Sequence, residues 1–336
     1  MPIDISTHYL GLQLDSPLIV SACPLTGTPD SLSAIQEAGG AAAVLPSLFE
    51  EQIEHYELET ARLHDYQTDS MAESLSFFPE MNSYNTGPEK YLDLIRNAKK
   101  ATSIPIIASL NGFTRGGWLY YARLIEQAGA DAIELNIYDI PRKSSERSTD
   151  VELQYCELVA ALKHRLTIPL AIKIGPYFSS IPSIAKSLTE AGADGLVLFN
   201  RYLAPDIDLD SLQFKPVLEL SRPAELRLTL RWIAILRDQI AASLAATGGV
   251  HQSEDVVKSL LVGADVTMLA SSLIQNGIEH LRSLKAELLV WLERHQYESV
   301  QQLKGSMSYE HCSNPDGLLR ANYLRALTCY TNQLRT

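Results

Sequence analysis

The chain has 336 residues, with 40 acidic against 28 basic side chains, a net charge of −12, and 46% hydrophobic residues. That size and apolar content support a large core, while the acid surplus offers no basic stripe to phosphates and argues against nucleic-acid binding. No uninterrupted apolar stretch reaches the roughly 20 residues of a membrane span, Met1-Pro2-Ile3-Asp4-Ile5-Ser6 does not read as a signal peptide, and Cys23, Cys156, Cys312 and Cys329 show neither metal nor redox spacing. A cytoplasmic protein with free thiols and no metal is expected.

Strand one is predicted at Leu18–Ala22, with a helix starting after Thr28-Pro29-Asp30-Ser31. Strand two is Ala42–Leu45. It is followed by a polar connection from about Glu50 to Gly87, long enough to be a lid or substrate loop. A helix from Pro88 leads to strand three, Pro105–Leu110. A helix over Leu119–Ala128 leads to strand four, Ala132–Ile137. Val151–Leu166 precedes strand five, Leu170–Ile174, and Ile181–Ala191 precedes strand six, Gly195–Phe199.

A second long connection, Arg201–Glu225, and a helix lead to strand seven, Ser243–Ala246. Glu254–Val262, strand eight (Val266–Leu269) and a helix over Gly277–His295 complete eight β/α units. Four of the helix-to-strand junctions repeat one phrase: Glu37-Ala38-Gly39-Gly40, Gln127-Ala128-Gly129-Ala130-Asp131, Glu190-Ala191-Gly192-Ala193-Asp194 and Leu261-Val262-Gly263-Ala264-Asp265. In each, a glycine ends the helix and a short apolar run follows, as parallel strands buried on both faces require. The pattern predicts an α/β fold, a (β/α)8 TIM barrel over residues 1–305. A doubly wound open sheet is the alternative. Residues 306–336 form a C-terminal helical extension with a helix over Leu318–Tyr330, expected to pack on the barrel or on a partner subunit.

The chemistry is expected at the strand C-terminal ends. Strand seven runs into Thr247-Gly248-Gly249-Val250, and strand eight ends in Ala270-Ser271-Ser272. Bare backbone amides beside small hydroxyl residues suit a phosphate, the other reading being an ordinary tight turn. Lys173 interrupts the apolar strand five and must be paired or functional there, unless it emerges at the strand mouth into solvent. Asn136 and Asn200 end strands four and six, where amides can read the edge of a heterocycle. Together they describe a pocket for a flat, phosphorylated cofactor.

Glu134-Leu135-Asn136, Lys173-Ile174-Gly175-Pro176-Tyr177-Phe178, Thr247-Gly248-Gly249, Tyr297-Glu298-Ser299-Val300 and the opening Ser21-Ala22-Cys23-Pro24 resemble, in order and spacing, the class 1 dihydroorotate dehydrogenases. The similarity covers about residues 1 to 305. It implies a barrel with FMN at the strand ends and the oxidation of dihydroorotate to orotate, in pyrimidine biosynthesis. By this resemblance Gly248, Gly249, Ala270 and Ser271 would hold the FMN phosphate. Lys173 would lie beside the flavin N1/O2 edge, favouring the reduced, anionic ring. Ala22 and Cys23 would pack on the flavin, with Ser47 and Phe199 at further flavin positions. Asn136 would touch flavin and substrate, and Asn200 the substrate.

Two positions depart from the family pattern. Where the family carries a Cys or Ser as base, the chain reads Asn136-Ile137-Tyr138-Asp139. Asp139 is therefore either the general base or a loop residue tied to Arg142 or Lys143. The family's strand-two lysine is replaced in Leu45-Pro46-Ser47, and its Asn-rich substrate loop is echoed only by Met81–Gly87. The expected activity is an FMN-dependent oxidoreductase acting on a CH–CH bond of a small molecule, as a homodimer without nucleic-acid or membrane partners. The alternatives are a flavin-binding protein without turnover that serves as a binding or assembly subunit, and a barrel aldolase or isomerase using Lys173 as a Schiff base.

Overall fold

A computed structural model describes residues 3–65 and 87–333. The chain opens with a hairpin, β1 (Thr7–Tyr9) and β2 (Leu12–Leu14), then β3 (Leu18–Val20), α1 (Pro29–Glu37), β4 (Ala42–Phe49) and α2 (Glu50–Asp65). It continues through α3 (Pro88–Ala101), β5 (Ile106–Asn111), α4 (Leu119–Gln127), β6 (Ala132–Asn136), α5 (Ser148–Lys163), β7 (Leu170–Ile174), α6 (Ile181–Glu190) and β8 (Gly195–Leu198). A second hairpin, β9 (Asp206–Asp208) with β10 (Gln213–Lys215), precedes α7 (Leu226–Leu236), β11 (Ser243–Thr247), α8 (Ser253–Val262), β12 (Val266–Leu269), α9 (Ser271–Asn276), α10 (His280–Arg294), α11 (Val300–Leu303) and α12 (Ala321–Gln333).

Eight parallel strands close in the order β3-β4-β5-β6-β7-β8-β11-β12, so the barrel and not the open sheet is the fold. The repeated phrase now has a mechanism. Gly39, Gly129, Gly192 and Gly263 all have φ between 96° and 112°, where a Cβ is costly. The aspartate that follows each of the last three ties neighbouring elements together. Asp131 accepts the Ile106 N–H and the Lys99 ammonium; Asp194 accepts the Leu170 N–H and Lys163; Asp265 accepts the Leu244 N–H with Arg237 and Lys304. Each carboxylate thus satisfies a donor at the start of the preceding barrel strand, the first residue of β5 and β7 and the second of β11, and is neutralised by a basic residue.

The barrel's floor is plugged. An inner layer of small side chains, including Ala42, Ala132, Ala171 and Ala245, leaves room that Tyr9, Leu10 and Leu14 of the first hairpin fill. Leu10 and Gly11 turn the hairpin with φ of 54° and 75°. The plug is pinned where Thr7 Oγ1 donates to the Asp265 carbonyl and Leu10 N–H to Ser243 Oγ.

Several elements differ from expectation. The first hairpin is too short to declare itself by periodicity. Strand two runs on through Phe49, because a bulge between Val44 and Ser47 absorbs Pro46, which has no N–H to give the ladder. The start of the polar connection after it is helix α2, whose Glu50, Gln52 and Ile53 are buried; Met81-Asn82-Ser83-Tyr84-Asn85-Thr86 lies outside the described residues. The Arg201–Glu225 connection carries the β9–β10 hairpin, and the last barrel helix is divided at Gly277 into α9 and α10. Residues 305–309 bond to α7 and α8 through Gly305, Met307 and Tyr309 N–H groups. Beyond them α12 does not pack on the barrel: residues 321–331 are exposed throughout, including Tyr323, Leu324, Leu327 and Tyr330. No helix of the described residues is long and apolar enough to cross a membrane.

Candidate active site

The C-terminal ends of β3, β7, β8, β11 and β12 surround a cavity of about 150 Å³. Ala22, Lys173, Phe199, Asn200, Gly248, Gly249, Ala270 and Ser271, all singled out in the sequence, line it together. β11 ends at Thr247, and Gly248 and Gly249 turn away with φ of 83° and 81°. A Cβ on Gly249 would sit 2.6 Å from the Arg222 carbonyl oxygen and 2.8 Å from Leu226 N, whereas one on Gly248 would meet nothing within 4 Å. Gly249 is therefore needed for packing, and Gly248 presents bare backbone to the cavity.

Opposite this turn stands Ser221, which lies in a connection without periodicity and gave no sequence signal. Its hydroxyl accepts the Gly249 N–H at 3.1 Å and donates to Ser271 Oγ at 2.8 Å, while Ser271 Oγ also accepts the Ser221 N–H. His251 fixes the segment by bonding the Ser221 carbonyl through Nε2 at 2.7 Å, and His280 Nε2 bonds the His251 carbonyl in turn. Carbonyl oxygens only accept, so Nε2 is the donor in both bonds. The result is a hydrogen-bonded cluster that fixes the Ser221 and Ser271 hydroxyls beside the Gly248–Gly249 turn at the cavity wall.

Two cations reach the same cavity. Lys173 is 11% exposed, with its ammonium 3.5 Å from Glu134 Oε1. Arg201 is braced by Glu225 at 2.8 Å and by the Glu219 carbonyl. No carboxylate is among the described residues that line it. Asn200 Nδ2 donates to Asn136 Oδ1 at 2.6 Å, joining the ends of two barrel strands. Arg201 and Glu134 were also missed, although Glu134 carried the same signal as Lys173, a charge inside an apolar strand.

Cys23, Ser47 and Asn136 are not part of this lining. Cys23 follows the lining residue Ala22. Burial pushes its thiol up, with backbone N–H groups of Leu25 and Thr26 and the charge of Lys173 opposing. Ser47 Oγ bonds Ser109 Oγ at 2.8 Å just past the bulge at Pro46. Asp139 opens on a different cavity of about 560 Å³, walled by Tyr155, Tyr177, Phe178 and Tyr202. Burial and the neighbouring Glu146 hold its carboxyl above the usual range, against the Ile140 N–H and Arg142. Tyr202 donates to the Asp139 carbonyl at 3.1 Å. A third cavity of about 350 Å³ adjoins both, sharing Asn200, Arg201 and Gly248 with the first and Tyr177 and Tyr202 with the second.

The family model for dihydroorotate dehydrogenase matches residues 66–292, and the chain belongs to that family. It is 25% identical over 309 residues to a dihydroorotate dehydrogenase B (NAD(+)) catalytic subunit of Thermoplasma acidophilum, covering 90% of this chain and 98% of the relative. It is 32% identical over 211 residues to the protein of the same name from Listeria innocua, covering 55% of this chain and 68% of the relative. The family is one of FMN-dependent dehydrogenases. The cavity's residues fit such a cofactor: an open glycine backbone and two serine hydroxyls for a phosphate, and two cations at the wall, each with its carboxylate partner set back from the described lining, for an electron-accepting ring.

Proposed function

We propose that the chain is an FMN-dependent oxidoreductase acting on a CH–CH bond of a small cyclic or carboxylated substrate, with dihydroorotate and hence pyrimidine biosynthesis the first case to test. The observation that carries this reading is the convergence of Lys173, the Gly248–Gly249 turn and Ser271 on one cavity, with no carboxylate among its described lining residues. Bound FMN supplies the hydride-accepting chemistry. The chain's own residues bind and orient. Gly248, Gly249, Ala270, Ser271 and Ser221 would hold the phosphate, Lys173 would place a cation at the ring edge, and Ala22, Cys23, Ser47 and Phe199 would flank the ring. Asn136 and Asn200 would read the substrate, and Asp139 would remove its proton. A homodimer belongs to the same reading, supported by the exposed Ile207, Leu209, Leu212, Phe214 and Leu218 around the β9–β10 hairpin.

A second reading, a flavin-binding protein without turnover acting as a binding or assembly subunit, is favoured by two observations. Asp139 faces the aromatic cavity instead of the one that holds Lys173, and Pro46 occupies a bulge where a lysine would serve the first reading. The absorption spectrum of the purified protein, followed by anaerobic bleaching with dihydroorotate, separates these cases. A yellow protein bleached by dihydroorotate supports turnover, a yellow protein that never bleaches supports the binding role, and a colourless one refutes both.

A further inference from the structure

Along β6, Ala132, Glu134 and Asn136 alternate toward the barrel interior, while Ile133 and Leu135 pack outward in the helix-facing core. Glu134 is 1% exposed, and its register neighbours are the small residues Ser109 and Ala171. Its Oε1 lies 3.5 Å from Lys173 Nζ; its Oε2 is buried with no hydrogen-bond partner among the described residues. A carboxylate satisfied on one side is a poor choice for stability, since an apolar residue of similar volume would fill the place without the desolvation cost. The pair is also one-sided. Lys173 opens on the Gly248 cavity, and Glu134 sits behind it, deeper in the barrel.

We propose that Glu134 is a positioning residue that holds the Lys173 ammonium against the inner wall of the Gly248 cavity and tempers its field. The pair, and not the lysine alone, then sets the reduction potential of the flavin. This rests on the FMN reading above. In a poorly screened interior a charge one group removed from the ring still acts on it. Removing the Glu134 carboxylate leaves the cavity more positive and favours the reduced, more negative flavin; removing Lys173 does the reverse.

The test is a redox titration of the purified holoprotein and of its Glu134→Gln, Glu134→Asp and Lys173→Met variants. It is paired with thermal unfolding of these proteins and of the Glu134→Gln/Lys173→Met double variant after removal of flavin. Glu134→Gln should bind reduced over oxidised flavin about tenfold more selectively than wild type, a rise of about 30 mV for a two-electron couple. Glu134→Asp keeps the charge and should stay near wild type, a distinction that a merely structural role would not produce. Without flavin, Lys173→Met leaves a buried carboxylate unpaired and should melt below the double variant. A Glu134→Gln midpoint at or below wild type overturns the proposal, as does a double variant melting no higher than Lys173→Met. A colourless protein counts against the FMN reading instead, and the unfolding comparison then decides by itself whether Glu134 holds Lys173.

Discussion

The side-chain amide of Asn200 donates to Oδ1 of Asn136 across 2.6 Å, joining the ends of β8 and β6. With that bond made, Asn136 keeps its N–H donors and Asn200 keeps its oxygen, so the pair offers a donor and an acceptor side by side. A planar amide or imide edge matches such a couple. Asn200→Ala should therefore leave flavin content unchanged and weaken substrate-driven bleaching by about 10- to 100-fold, the cost of one unmatched polar contact. Stopped-flow rates against substrate concentration measure it, and unaltered rates would take Asn200 out of the substrate site.

Gly248 separates cofactor loss from misfolding better than Gly249 does. Any side chain on Gly249 meets backbone at 2.6 Å, but one at Gly248 enters open space. Asn and Asp are the non-glycine residues that best accept a positive φ. Gly248→Asp should expel the flavin by repulsion of its phosphate, while Gly248→Asn, equal in shape and uncharged, should retain more of it. Flavin-to-protein absorbance ratios after gel filtration give the answer, and equal retention by both variants would place the phosphate elsewhere.

Lys173→Met should lower the flavin midpoint by about 30 to 60 mV, the equivalent of ten- to a hundredfold poorer selectivity for the reduced form. The variant must still bind FMN for the comparison to hold, which its spectrum shows. An unchanged or higher midpoint would remove the lysine from the ring edge.

Asp139 is held above the ordinary carboxylate range by burial and by Glu146. Its charged form is thus disfavoured by the fold, so wild type loses stability as pH rises through the raised pKa, and Asp139→Asn is spared that loss. The variant should melt higher than wild type near neutral pH, with the gap closing as pH falls below the ordinary carboxylate value. If Asp139 is the base, wild-type bleaching slows as pH drops through the same raised pKa and Asp139→Asn abolishes it with flavin still bound. Equal bleaching in both proteins would leave Asp139 with only its place in the aromatic cavity.

Self-association should run through the β9–β10 excursion, where Leu209 and Leu212 are each 81% exposed and Phe214 is 76% exposed. Light scattering coupled to gel filtration should report a dimer, and Phe214→Glu combined with Leu209→Glu should yield monomer with its flavin retained. A monomeric wild type at micromolar concentration would sink the homodimer.

The eight barrel strands were legible because helix, glycine stop and buried apolar run are local: a left-handed cap and a strand buried on both faces each leave a mark within a few residues. β7 and β12 fall where the pattern put them, Leu170–Ile174 and Val266–Leu269. The Gly248 turn, Ser271 and Lys173 were legible for the same reason, each breaking its local pattern in a way that chemistry explains. The β1–β2 plug, helix α2 and the β9–β10 hairpin were not. Two hairpins have strands of three residues, and α2 is so acidic that its few buried positions do not stand out.

Sequence alone determined that strands and helices alternate, that the strands are parallel, and that small residues and a lysine stand at their ends, since those depend on propensity and pattern over short spans. Only the tertiary structure decided which of these ends share a cavity. Closure of the barrel brings Ser221 against Gly249 and Ser271, 28 and 50 residues away, and sets Glu134 behind Lys173 across 39. It also places Asp139 around the rim among Tyr155, Tyr177 and Tyr202. Distance along the chain carries no information about such meetings; the barrel's register and the paths of its long connections decide them.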